Sequence, residues 1–176
     1  KNDGFHGKFH NYDSNGWVVL DGNQVRKVDE NNTIDERSLI KQNAERNNTW
    51  LKAPNGEKSN LNPEQWIEVR TKEFKDWFGD WENDSENSSK MIDENGEPKI
   101  LKHASPNKFS IFKVGEFPGI LGYGIYFTDS ENAINKMINT NKYKNVMSVY
   151  INVRNPEIIG SSTNIIYDKY NTEDLL

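Results

Sequence analysis

The period of the hydrophobic positions changes twice along the chain and divides it into three stretches. Near the start, Trp17-Val18-Val19-Leu20 is followed by Asp21-Gly22 and a second run reaching Val25 and Val28, which predicts a β-hairpin turned at Asp-Gly. The flanking stretches Asn31–Asn32 and Asn43–Thr49 favour turns and solvated coil. A lone hairpin is marginal in water. Residues 1–60 therefore read as an extended polar arm carrying a docked or transient hairpin.

Around Asn60 the pattern becomes helical. Asn62-Pro63-Glu64-Gln65 supplies a capping side chain, a proline at the first helical position and a capping-box glutamine, so a helix is expected to start at Pro63. Trp66, Val69, Phe74, Trp77, Phe78 and Trp81 then recur at three- and four-residue steps, with Glu68, Lys72, Lys75 and Asp76 on the other side. Three of the five tryptophans lie on this stripe, which is read as core. With the polar loop Asn83 to Lys90 it makes an introductory segment, residues 61–90.

From residue 91 onward the period is mostly two. Met91-Ile92 and Lys99 to His103 flank Asp93-Glu94-Asn95-Gly96, a second hairpin whose return strand sends Leu101 and His103 to one face and Ile100 and Lys102 to the other. Ile125-Tyr126-Phe127 reads as a short strand after a glycine-containing loop from Gly115 to Gly124. Thr128 or Ser130 can cap a helix through Ala133, Ile134, Met137 and Ile138, and Val146 to Val153 alternates as a further strand. Ile158-Ile159 and Ile165-Ile166-Tyr167 are short extended candidates. No internal repeat is evident. The expected class is α+β, with the last strands of the 91–176 sheet not visible before Leu176.

Composition narrows the chemistry. The chain has 176 residues, formal net charge −5 and no cysteine, which removes disulfides, thiolate metal sites and cysteine nucleophiles. An acidic balance gives no general attraction to phosphate backbones, so nucleic acid is not the expected partner. No apolar run approaches the roughly 20 residues that span a bilayer. The chain starts at Lys1 with no basic-then-apolar leader, which suggests a processed product or a piece of something larger that is not secreted by its own signal peptide. Asparagine occupies 25 positions.

Candidate chemistry centres on the histidines. His6 and His10 have a metal-compatible spacing, but Gly4 and Gly7 disfavour a helix there and no third ligand is near, so no metal is expected. His103 ends an apolar strand, where its ring nitrogens need partners. A satisfied core histidine is the plain reading of that position. The pattern gains weight from the pairing of His103-Ala104-Ser105 with Gly122-Tyr123-Gly124-Ile125-Tyr126-Phe127-Thr128-Asp129, His103 and Tyr126 lying 23 residues apart.

With these motifs, residues from about Gln65 to Pro156 resemble the ADP-ribosyltransferase-like domains of large polyvalent proteins in bacteriophages and conjugative elements, particularly of gut Bacteroidales and crAss-like phages. The run Val69 to Trp81 is similar to their introductory helix, Met91 to Ser105 to their hairpin and histidine strand, and Gly124 to Asp129 to their tyrosine motif. The wider class transfers ADP-ribose from NAD with a His-Tyr-Glu set on a split β-sheet. The resemblance implies that His103 hydrogen-bonds the adenine ribose, that the backbone at Ala104 and Ser105 grips the nicotinamide amide, and that Tyr126 stacks on the nicotinamide ring beside Gly124. His103 and Tyr126 are the implied catalytic residues, and NAD the implied substrate.

Three departures stand out. The glutamate-bearing strand is not visible, and only Glu157 and Glu173 lie downstream of the Met147 to Val153 strand. Ala104 replaces the usual glycine, and the helix after Asp129 offers Ile134 and Met137 where polymerase-type relatives place polar or aromatic contacts. The function expected from the resemblance is a mono-ADP-ribosyltransferase module of a larger phage or mobile-element protein acting on a host protein. The alternatives are a structural or packaged virion segment with a vestigial transferase fold, in contact with other virion proteins, and a nucleotide binder without catalysis. The expected location is the virion or the bacterial host cytoplasm. Gly115 to Gly124 lacks the ending of a Walker loop, and Gly122-Tyr123-Gly124 precedes a strand rather than a helix, so neither is a phosphate-cradling fingerprint.

Overall fold

A computed structural model describes residues 3–9, 14–27, 34–115, 119 and 122–158. Seven strands are present among them: β1 (Gly4–Phe9), β2 (Ser14–Val19), β3 (Val25–Lys27), β4 (Leu101–Ser105), β5 (Ile125–Thr128), β6 (Asn145–Ile151) and β7 (Glu157–Ile158). Four helices accompany them: α1 (Ile34–Arg46), α2 (Pro63–Glu68), α3 (Lys72–Phe78) and α4 (Glu131–Asn139). The class is α+β. The chain divides into two compact units, one from the described parts of Lys1–Val25, Ile100–Val149 and Asn155–Leu176, the other from those of Arg26–Lys99 and Tyr150–Arg154.

The first unit is a sheet with strand order β6-β4-β5-β2-β1-β7. Its neighbours are antiparallel except for β1 and β7, which run parallel. β2 lies between β1 and β5, with Trp17 opposite His6 on one side and opposite Phe127 on the other. Trp17, Val18 and Val19 are consequently all buried, since a central strand is covered on both faces. The expected hairpin across Asp21-Gly22 does not form. Gln24 accepts from the Asp21 N–H at 3.0 Å and donates to the Asp3 carbonyl at 2.8 Å, which fixes a short 3-10 turn at Gly22–Gln24 instead.

Residues read as a solvated arm thus supply two strands of this sheet. His6 stacks on Trp17 with ring centroids 4.7 Å apart, whereas His10 lies outside the described residues. Leu101, Ile125, Phe127, Ala133, Ile134 and Val149 are buried in the same unit. Ser130 caps α4 by accepting from the Ala133 N–H, as the sequence predicted.

The second unit corrects the expectation of one long amphipathic helix. The capping box at Asn62 and Gln65 forms as predicted, but the helix stops at Glu68 and a new one starts at Lys72. The cause is Thr71, whose hydroxyl donates to the Glu68 carbonyl at 2.7 Å and accepts from the Phe74 N–H at 3.2 Å. Closing one helix and opening the next with one side chain turns the aromatic stripe without exposing it. Phe74 stacks on Phe78 at 5.1 Å and meets Tyr150 edge-on at 5.1 Å, while the Trp81 indole donates to the Val69 carbonyl.

α1 was not foreseen either. It is polar and buries Ala44, yet Glu36, Arg37, Leu39, Lys41, Gln42 and Ala44 are strong helix formers, and Arg37 pairs with Glu64 at 2.8 Å.

The unit also contains a repeated device. Asn55-Gly56-Glu57 and Asn95-Gly96-Glu97 make the same turn: Ala53 N–H to Glu57 carbonyl and Gly56 N–H to Ala53 carbonyl in one, Asp93 to Glu97 and Gly96 to Asp93 in the other. Both glycines have φ of +86°, the left-handed region that favours glycine. The second turn forms where the sequence predicts one, at Asn95-Gly96, but only an isolated Ile92–Pro98 bridge joins its flanks, and the expected return strand pairs as β4 with β5 and β6 instead. The two turns are joined by a hydrogen bond of 3.0 Å from the Asn55 amide nitrogen to the Asn95 amide oxygen.

Glu97, fully buried, accepts from the Ser59 hydroxyl at 2.6 Å and pairs with Arg70 at 3.3 Å. Arg70 lies 3.6 Å over the Trp66 ring and also meets Glu82 at 3.0 Å. Burial pushes the Glu97 carboxyl up despite these partners. Glu97→Ala leaves Arg70 and Ser59 short of an acceptor and is expected to cost about 3 kcal/mol, against about 1 kcal/mol for Thr71→Ala, which removes only a cap. Urea titration of the two variants checks the order; equal costs would contradict it.

Candidate functional site

The site lies where β4 and β5 part. Their ladder registers Lys102 opposite Thr128 and does not continue along the two strands. At the next residue the His103 ring takes over, with Nδ1 2.8 Å from the Tyr126 carbonyl oxygen. A carbonyl only accepts, so Nδ1 carries the hydrogen and donates it. On the other side β4 remains zipped to β6 from Leu101 opposite Val149 to Ser105 opposite Asn145. One strand is therefore fixed along its length and released from its other neighbour at the histidine.

Aromatic rings surround His103: Phe109 and Phe112 edge-on at 5.7 and 5.5 Å, and Phe127 tilted at 5.6 Å. This environment lowers the imidazole pKa below its ordinary 6.5, desolvation outweighing the bond to Tyr126. The ring is neutral at pH 7, and with hydrogen on Nδ1 its Nε2 is an acceptor suited to a ligand hydroxyl.

Strand alternation places Tyr126 and Thr128 on the same face as Lys102 and Ala104, and His103 with Phe127 on the other. His103 and Tyr126 thus meet through a backbone carbonyl rather than ring to ring. Both line one cavity of about 430 Å³, with Lys102, Ala104, Lys113 and Gly124 also on its wall. Ile134 and Met137 of α4 give the wall an apolar side. The Tyr126 phenol donates to the Gly122 carbonyl at 2.6 Å, and Gly119 sits so close that a β-carbon there would lie 2.6 Å from the phenolic oxygen. Gly119 and Gly122 are themselves paired through two backbone bonds, which makes a platform for the ring.

Of the residues singled out in the sequence, His103, Ala104, Gly124 and Tyr126 come together here. Gly124 also has a structural reason to be glycine, since a β-carbon would stand 2.2 Å from Val18 Cγ1. Ser105 is not brought to the cavity wall. Its buried hydroxyl donates to the Asn107 carbonyl at 2.8 Å and accepts from the Asn107 N–H, ending the strand. Glu157 is in β7, three strands from β5 and so about 14 Å away at roughly 4.8 Å per strand. Glu173 lies outside the described residues.

Lys102, Lys113 and Tyr143 line the cavity but were not picked out. The alternation that set Lys102 opposite in face to His103 was a usable signal for the first. Lys113 and Tyr143 reach the wall only through the tertiary fold. Among the described residues no group of three His, Cys, Asp or Glu is placed to hold a metal, and no helix is long and apolar enough to cross a membrane.

This geometry can be set beside known proteins. Residues 93–175 match the model of a family described as ADP-ribosyltransferase in polyvalent proteins. No curated protein and no solved structure matches the chain. Residues 93–175, which carry the histidine and tyrosine motifs, are thus similar to the ADP-ribosyltransferase domains of polyvalent proteins. The match does not include Val69 to Trp81, the run resembling an introductory helix.

Because His103 is held neutral, folding resists its protonation, so its contribution is complete above about pH 6.5 and is lost as pH falls through the lowered value. Stability of the wild type should fall toward pH 5 by up to about 1.4 kcal/mol per pH unit more steeply than that of His103→Gln. Denaturant midpoints at pH 7.5, 6 and 5 measure this; parallel profiles would contradict it.

Proposed function

We propose that the 93–175 segment is an NAD-dependent mono-ADP-ribosyltransferase module of a phage or mobile-element polyvalent protein, modifying a host protein. The observation that carries the reading is the His103 to Tyr126 junction at the parting of β4 and β5, inside a stretch that matches the family. The residues present suit a nicotinamide dinucleotide. A cavity of about 430 Å³ falls within the roughly 300–1,000 Å³ of ordinary ligand sites, and it combines an aromatic ring, a histidine acceptor, cationic groups and an apolar side.

NAD would supply the ADP-ribosyl group, with nicotinamide as the leaving group. His103 Nε2 accepts a ribose hydroxyl while Nδ1, tied to the Tyr126 carbonyl, keeps the ring from turning. Tyr126, seated on the Gly119 and Gly122 pair, offers its ring to the nicotinamide. Offset stacking of this kind contributes about 0.5–1.5 kcal/mol beyond burial. Ile134 and Met137 exclude water from the same side.

A second reading has its own observation. No Asp or Glu lines the cavity among the described residues, and Glu157 is strands away. A carboxylate would stabilise the positive charge developing on the ribose, so its absence there favours a binding or packaged structural role without transfer.

Transfer of label from NAD to protein by the full chain separates the two. On the catalytic reading His103→Ala and Tyr126→Ala each lower the rate by about 100-fold or more, with melting temperatures close to the wild type. A wild type that binds NAD without turnover supports the non-catalytic role. Loss of rate that only tracks loss of folding would overturn the assignment of these residues.

A further inference from the structure

Among the described residues, the charged side chains on the cavity wall are all cationic. Lys102 and Lys113 contribute two cations and, among the described residues, no carboxylate lines it, although the chain as a whole carries a net charge of −5. Lys102 stands on β4 opposite Thr128 and shares the face of Tyr126. Its ammonium is bonded by the carboxylate of Glu131, the first residue of α4, whose side chain is 69 % exposed. An ion pair with so exposed a partner holds its cation weakly and exchanges readily with another anion. Glu131 is not itself a lining residue, whereas Lys102 is.

We propose that Lys102 and Lys113 are the specificity-determining residues for a diphosphate, and that Glu131 occupies Lys102 as an internal competitor when the cavity is empty. Two cations lining one cavity match the charge of a diphosphate better than that of a monoanion, and an ammonium meets phosphate as a compact point charge. The apolar side and Tyr126 are then left for a ring. The site selects a nucleotide whose two halves are joined by a diphosphate over a nucleoside bearing the same ring. This assignment deepens the nucleotide reading and rests on it, but its anion-binding core can be measured without it.

Isothermal titration of the full chain with ADP-ribose, nicotinamide riboside and inorganic pyrophosphate tests the proposal, using Lys102→Met, Lys102→Arg and Glu131→Gln. Lys102→Met is expected to weaken ADP-ribose and pyrophosphate about 10-fold or more while nicotinamide riboside stays within about twofold. Lys102→Arg should restore most of the loss, and Glu131→Gln should tighten ADP-ribose about threefold by removing the competitor. Unchanged melting temperatures exclude a folding effect. If riboside and ADP-ribose bind but Lys102→Met weakens neither, or both equally, the diphosphate assignment falls and the nucleotide reading stands. If pyrophosphate binds through Lys102 and neither nucleotide does better, the nucleotide reading falls and the anion site stands. If no probe binds the wild type, both fall.

Discussion

The bond from His103 Nδ1 to the Tyr126 carbonyl is the constraint on which the candidate site depends. A sheet that stops pairing leaves backbone acceptors without partners, and burying one unpaired is costly. His103 satisfies that acceptor with a side chain, so β4 and β5 can separate at this point. The same bond fixes the imidazole tautomer and leaves Nε2 as an acceptor. The aromatic rings of Phe109, Phe112 and Phe127 then exclude water from the imidazole and keep it neutral. Opening, tautomer and charge state follow from one 2.8 Å contact.

Tyr126 contributes twice to the arrangement, with its carbonyl to His103 and its phenol to Gly122. Gly119 leaves room for the ring edge, and Gly124 lets β5 begin against Val18. Gly119 and Gly124 are therefore demanded by close approach, which is a different constraint from phosphate cradling. Among the described residues the cavity wall carries an acceptor, an aromatic face and cations, and no carboxylate.

Local signals in the sequence were read correctly where the deciding interactions were local. The cap at Asn62, the Asn95-Gly96 turn, the strand at Ile125 to Phe127 and the Ser130 cap all depend on neighbours a few residues away. The long helix failed because Thr71 can cap as well as continue, and hydrophobic period does not distinguish the two when both short helices bury the same stripe. The amino-terminal hairpin failed for a nonlocal reason: β2 finds β1 and β5, and β5 is more than a hundred residues away in the chain. Asparagine content drew attention to coil where the helix formers of α1 dominate. At the site, the sequence pointed to His103, Ala104, Gly124 and Tyr126 by their motifs, whereas Lys113 and Tyr143 have no local mark.

The most direct test of the account is nitrogen NMR of a histidine-labelled full chain at pH 7, with His103 assigned by comparison with His103→Gln, before and after addition of NAD. The account predicts a neutral ring with hydrogen on Nδ1 and an Nε2 resonance that moves on saturation with NAD as it begins to accept a hydroxyl. A charged ring, hydrogen on Nε2, or resonances that ignore NAD would contradict the claim that this histidine is held in place to receive a nucleotide.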